Sequence, residues 1–189
     1  MISVNALHLS TYALNDILVA HPCPASLSRF SFRYDLSSEK LKLFNSYIFL
    51  ISSQSINSLK RSQLSIYFCR IKEGDKSCSP LVNCRSSGLR VSTAAGSTAA
   101  MHSAGGFPMP ILSRDLQYMT REPISSGAAS DLMHGLIKHD QTLVATWTCR
   151  KGVIYIDGSH INHAIQDGDI IEISSRAPVL KVILPHHLL

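Results

Sequence analysis

The chain has 189 residues, 45% of them hydrophobic and 16% charged, with a formal net charge of +5. That is enough chain for one globular domain with a real core and too little for two large ones. The Lys and Arg residues are scattered without interleaved aromatics, which argues against a nucleic-acid partner and favours an anionic small molecule.

At the N-terminus no charged region precedes an apolar core and a cleavage site, so no secretory signal is expected. Residues 12–20, "YALNDILVA", place the polar pair Asn15-Asp16 inside an apolar stretch. The next segment, "HPCPASLSRFSFR" (21–33), opens with proline-interrupted loop chemistry. It ends in alternation, with Phe30 and Phe32 on one face and Ser31 and Arg33 on the other. Residues 34–70 change character: they are rich in Ser, Leu, Ile and Asn, lack Gly and Pro, and show no period. Their most apolar run, Leu43 to Ile51, is far too short for a membrane span. Ordinary loop language returns with "IKEGDKSCSP" at 71–80.

Residues 88–106 read as strand, turn and helix. Gly88-Leu89-Arg90-Val91 form a short strand, followed by the turn Gly96-Ser97-Thr98 and a low-bulk helix over Thr98 to Ala104. Ser97 or Thr98 would be the N-cap, and Gly105-Gly106 the left-handed exit. Such a turn would point N–H groups and the hydroxyls of Ser97 and Thr98 outward, towards an anion or a polar ligand edge. A buried helix packed tightly on a sheet accounts for the same small residues. A Walker-type phosphate loop is excluded, because no Gly-Lys-Ser/Thr follows. Residues 107–127 are punctuated by Pro108, Pro110 and Pro123, giving extended segments and loops. From 143 to 184 the pattern is β, with Asp-Gly at 157–158 and 167–168 as two hairpin signatures. The five cysteines (Cys23, Cys69, Cys78, Cys84 and Cys149) are an odd number at irregular spacing. They suggest neither a disulfide framework nor a zinc pattern, and suit a reducing compartment. His160 and His163 lack a nearby carboxylate or Cys partner and read as hairpin residues, so no metal site is expected.

Three features then line up: Asn15-Asp16, the Gly-Ser-Thr turn at 96–98, and Asp157-Gly158. Together they resemble the C-terminal part of the NAD kinase family, most closely the NADH kinase branch of plants. "ALNDILVAHPCPASLSRFSFR" looks like that family's Asn-Glu/Asp motif and its following strands. "SSGLRVSTAAGSTAAMHSAGG" is similar to its "DGL.VSTPTGSTAYS.SAGG" signature, and "IYIDGSHI" and "GDIIEISSRAPVLKVIL" fit its closing hairpins. The resemblance implies a mainly β domain with one or two short helices, the family's N-terminal α/β domain being missing. It also implies transfer of the γ-phosphate of ATP, with magnesium, to the adenosine-ribose 2′-hydroxyl of NADH or NAD. No tightly bound cofactor, a homodimeric state and no membrane partner are expected. The expected compartment is the cytoplasm, with peroxisome or mitochondrion as alternatives.

By that resemblance Asn15, Asp16, Thr98, Ala99, Ser103 and Asp157 bind the dinucleotide, and Gly96 and Ser97 shape the turn at its phosphates. An ionised Asp16 is acceptor-only and suits a ribose diol. For Asp157 an ordinary hairpin-turn role is the competing reading. Some positions depart from the family. The catalytic Gly-Gly-Asp-Gly-Thr string is absent, Ser87 replaces the Asp before Gly-Leu, and Ala100 replaces a Tyr able to stack on a base. No catalytic residue is therefore assigned within this chain. The expectation is a truncated kinase of reduced or no activity, the alternative a noncatalytic dinucleotide-binding or subunit-contact module. A lipid kinase relative is disfavoured by the Asn-Asp pair together with the Gly-Ser-Thr signature. Without 34–70, "RFSFR" would join "IKEGDKSCSP" and follow the family without a break. Residues 1–33 and 71–189 thus read as one dinucleotide-binding domain. The segment 34–70 reads as a retained intron or splice variant, or else as a loop insertion.

Overall fold

A computed structural model describes residues 1–6, 9–35, 79–124 and 130–178. The described chain forms twelve strands: β1 (Ile2–Ala6), β2 (Leu9–Ala13), β3 (Asp16–Ala20), β4 (Ser28–Asp35), β5 (Val82–Ser86), β6 (Gly88–Ser92), β7 (Leu116–Arg121), β8 (His134–Ile137), β9 (Thr142–Trp147), β10 (Gly152–Ile156), β11 (Ile161–Ile165) and β12 (Ile170–Ser174). One four-residue helix, α1 (Ala100–Ser103), follows a 3₁₀ turn at Gly96–Thr98. The mainly β architecture expected from the sequence is the one found.

The strands make two six-stranded antiparallel sheets. Sheet one runs β2-β1-β12-β9-β4-β5, and sheet two runs β11-β10-β3-β6-β7-β8. Period-two alternation fixes the register. Phe30 and Phe32 face inward from β4, as their spacing predicted, opposite Ile17, Val19, Leu89 and Val91 of sheet two in a single core. Within sheet one Phe30 stacks on its cross-strand partner Trp147 at 6.1 Å, and Phe32 joins the layers by meeting Tyr118 of sheet two edge-on at 5.4 Å. Burial, with Tyr34 and Cys84 beside it, pushes the Tyr118 phenol up to about 12. The group stays protonated and donates to the Leu132 carbonyl at 3.2 Å. Gly152 lets the Trp147 indole edge lie against the backbone, since a Cβ there would fall 2.4 Å from Cε2.

Two expectations change. Asp157-Gly158 does turn a hairpin between β10 and β11, but Asp167-Gly168 does not. Gly168 takes the left-handed conformation there (φ +86), while the chain passes from β11 in sheet two to β12 in sheet one. The turn chemistry was right, yet the flanking strands pair with other partners, because burying both apolar faces requires opposite sheets. At the other expected boundary, β4 continues through Tyr34 and Asp35, paired with Leu143 and Thr142. The rest of the 34–70 segment, and the join at 71, lie outside the described residues.

Candidate functional site

Strands β10, β3 and β6 are neighbours in sheet two, and antiparallel pairing brings the end of β10, the start of β3 and the end of β6 to one edge. Asp16 pairs with Ser92, and Ile17 with Ile156. The three sequence features singled out above therefore meet.

Leu14 and Asn15 form a two-residue crossing from β2 in sheet one to β3 in sheet two. The polar main-chain groups of this crossing need partners from elsewhere. The Asp157 carboxylate collects the N–H groups: Leu14 donates to Oδ2 at 2.7 Å, and Asn15 and Asp16 donate to Oδ1 at 2.7 and 3.1 Å. In return the Asp157 N–H donates to the Asp16 carbonyl at 2.9 Å. Asp157 holds φ +49, a left-handed conformation that Asp tolerates better than most residues.

The carbonyls are met from the other side. Thr93 donates its hydroxyl to the Leu14 carbonyl at 2.8 Å and its N–H to the Asn15 carbonyl at 2.9 Å. The same hydroxyl accepts from the Gly96 N–H at 3.2 Å. Gly96 packs directly on this crossing: a Cβ there would sit 2.3 Å from the Asn15 carbonyl oxygen. This position admits only glycine for reasons of space, not of φ.

The Asp16 carboxylate pairs with the Arg90 guanidinium, whose side chain is 14% exposed against 17% for Asp16. Arg90 reaches it because residues 90 and 92 share one face of β6, alongside 16 and 18 on β3. Its Nε is buried without a partner. The Asn15 side chain is exposed at the edge, as are Thr98, Ala99 and Ser103.

The turn departs from its expected form. Ser97 is fully buried, and its hydroxyl donates to the Ala94 carbonyl at 2.7 Å and accepts the Met109 N–H at 2.8 Å. It can neither cap a helix nor meet a ligand. The helix accordingly begins at Ala100 rather than Thr98, with Ala99 at its N-terminus and no side-chain cap. The N–H groups of Ser97 and Ala99 are used within the turn, on Ala94 and Gly96. Gly105 does supply the left-handed exit (φ +99). Gly105 and Gly106 donate to His102 and Met101, the paired bonds of a Schellman motif.

Sequence reasoning missed Thr93 and Arg90. Arg90 carried a readable signal, a single charge inside the apolar strand 88–92; Thr93 carried none, because its role depends on the crossing it faces. Among the described residues no three His, Cys, Asp or Glu side chains gather as metal ligands. With Asp16 on Arg90 and Asp157 on backbone N–H groups, the donor set here does not fit a magnesium ion.

No protein-family model matches the chain. It is 51% identical over 189 residues to a protein of Oryza sativa subsp. japonica described as a probable NADH kinase, a match spanning all of this chain and 47% of that one. It is 49% identical over 173 residues to the NADH kinase of Arabidopsis thaliana, 92% of this chain and 53% of that one. The fold is similar to yeast NADH kinase complexed with NADH, with a TM-score of 0.62 at 14% identity over 96% of this chain and 41% of that one. It is similar also to an NAD kinase from Archaeoglobus fulgidus in complex with ATP, with a TM-score of 0.53 at 17% identity over 92% of this chain and 50% of that one. The chain spans about half the length of the curated relatives it matches, as expected of a C-terminal part. Identical to two plant NADH kinases at about half of its aligned positions, and sharing the fold of NAD(H) kinases of known structure, the chain belongs to the NAD(H) kinase family.

Proposed function

We propose that residues 1–35 and 71–189, the expected domain extended by the last two residues of β4, form the dinucleotide-binding domain of an enzyme that phosphorylates NADH or NAD at the adenosine-ribose 2′-hydroxyl, with ATP as donor. The observation that carries this reading is the convergence of Asn15-Asp16, the 93–98 turn and Asp157 at one edge of sheet two. Asn15 presents an amide with both donors and an acceptor. Asp16 is fixed by Arg90 through Oδ2, leaving Oδ1 to accept from a ribose hydroxyl. Thr98, Ala99 and Ser103 form a low-relief surface over which a dinucleotide can lie close to the main chain. Gly96 shapes that surface, and Ser97 supports it from within. Asp157 acts on the ligand through the crossing it clamps, because both of its oxygens are occupied by backbone N–H groups.

In the transfer, the 2′-oxygen bonds to the γ-phosphorus and the bond from that phosphorus to the ADP oxygen breaks. The hydroxyl proton leaves to a base that the family carries in its Gly-Gly-Asp-Gly-Thr motif, outside this chain. Magnesium would come with ATP. Positioning of the acceptor hydroxyl is this domain's contribution. A homodimer is the state we expect from the family resemblance, and five cysteines at irregular spacing suit a reducing compartment such as the cytoplasm. No helix among the described residues is long and apolar enough to cross a membrane.

The test measures NADH binding by calorimetry and NADPH formation from ATP and NADH, for this chain and for one that also carries an α/β half. We expect NADH binding by both, with turnover by this chain lower by about two to four orders of magnitude, the usual cost of losing a positioned base. Turnover that the α/β half does not raise, or no NADH binding by either chain, would overturn the proposal.

A further inference from the structure

We propose that Arg29 and Arg85 form a second site, for a compact dianion of the phosphate type, on the outer face of sheet one. The two residues are direct partners across β4 and β5. The Arg29 carbonyl accepts the Thr148 N–H at 3.0 Å, and the Arg29 N–H goes to Cys149 Sγ at 3.1 Å. The Arg85 carbonyl accepts the Ile124 N–H at 2.8 Å. The main-chain groups of each arginine thus point away from the other. This makes them a non-hydrogen-bonded pair, the kind whose side chains come closest. Both are exposed, and among the described residues neither has a carboxylate partner. Like charges directly opposite destabilise an antiparallel pair, so the sheet holds a repulsion that an anion relieves.

The surroundings select the anion. The pair lines an open groove of about 380 Å³ with Ser31, Asn83, Thr148 and Ile124, and among the described residues no acidic side chain lines it. Ser31 and Asn83 are themselves partners on the same outer face, two positions along from the arginines. Two guanidinium forks with hydroxyl and amide donors match the several oxygens of a phosphate, and their combined charge matches a dianion. The groove suits a small ion or a single phosphate group better than a protein surface. The site lies on the opposite sheet from the proposed dinucleotide site, and its argument does not depend on that reading.

The test titrates the full 189-residue chain with inorganic phosphate, sulfate and acetate at constant ionic strength, following the arginine Nε–H resonances and the melting temperature. Phosphate and sulfate are expected to shift the Arg29 and Arg85 signals saturably and to raise Tm, and acetate to do neither. Phosphate binding should strengthen from pH 6 to 8 as its second proton leaves, while sulfate binding stays level. Arg29→Gln and Arg85→Gln should each weaken phosphate by roughly tenfold or more, whereas Arg121→Gln should not. Because a variant can alter binding indirectly, Arg85→Gln is also melted in anion-free buffer, where relief of the repulsion should leave it at least as stable as the parent. A non-saturating response, phosphate affinity unchanged in both Gln variants, or an anion-free Arg85→Gln less stable than the parent would overturn the proposal.

Discussion

The two ends of the β-sandwich solve one problem in different ways. Wherever the chain crosses between sheets, its backbone leaves both ladders and its N–H and C=O groups need new partners. At the end where β4 and β10 begin, main-chain groups and enclosed hydroxyls supply most of the partners, joined by the Asp169 carboxylate, which accepts the Gln166 N–H at 2.8 Å. Trp147 and the 168–169 turn exchange two backbone bonds of 2.9 Å, and the fully buried Ser28 and Ser86 take the N–H groups of His21 and Gly88. At the other end, the Leu14–Asn15 crossing is held by the exposed Asp157 and by Thr93. The second end gathers three N–H groups on one exposed carboxylate and leaves the side chains of Asn15, Thr98 and Ser103 turned to solvent. A ligand site needs that combination of fixed geometry and groups still free to bond.

The largest expected effect breaks the enclosed end. Trp147→Ala removes a fully buried indole stacked on Phe30 and should cost about 3–5 kcal/mol in denaturant unfolding. If the two ends are as separate as their bonding indicates, molecules that remain folded keep their NADH affinity. A parallel loss of affinity in the folded fraction would show that the ends are coupled through the core.

Asp16→Ala comes next and tests the open end. It leaves the largely buried Arg90 without a counter-charge and with an unpartnered Nε, so a loss of about 2–3 kcal/mol is expected, below the range for a fully buried pair. NADH affinity should fall roughly ten- to a hundredfold. Adding Arg90→Leu should restore most of the stability and none of the affinity. Recovery of both would make Asp16 a structural partner of Arg90 alone.

These residues also show what the sequence could and could not disclose. Strand alternation, the Asp-Gly hairpin at 157–158 and the Gly105 exit are local, so they were readable from short windows. The direction of the Ser97 hydroxyl was not, because it is set by Met109, twelve residues away. Asp16 stood out as a carboxylate in an apolar run, but its pairing with Arg90 depends on β3 and β6 being neighbours. The same holds for Asp157: its position in a turn was visible, while its three N–H donors lie more than 140 residues away.

Asp157→Asn separates the two readings of that residue. An ordinary turn at positive φ accepts Asn, and stability would not change. A clamp does not accept it, because both carboxylate oxygens receive backbone N–H groups and the amide would turn one acceptor into a donor. We expect a loss of about 1 kcal/mol, comparable to losing a helix cap. Faster hydrogen exchange at Leu14, Asn15 and Asp16 should accompany it, and KM for NADH should rise in a chain carrying the α/β half. Unchanged exchange at these three amides would return Asp157 to a turn role.

The smallest effect is a reference taken away from both ends. Glu172 lies mid-strand in β12, opposite Asn5 and Val144. Burial pushes its carboxyl above the ordinary 4.5, with Arg176 opposing the shift in part. The folded chain therefore holds this proton to higher pH than the unfolded chain does. Between 4.5 and the raised value, folded molecules carry more protons than unfolded ones, so the contribution of Glu172 to stability falls as pH rises and is level above that window. Glu172→Gln removes this dependence. The variant should match the parent at pH 4, become the more stable of the two through the window, and keep that margin at pH 7, with NADH affinity unchanged. Melting both proteins from pH 4 to 8 checks this, and a variant less stable than its parent at pH 7 would mean that the ionised Glu172 is a net stabilising partner of Arg176 instead.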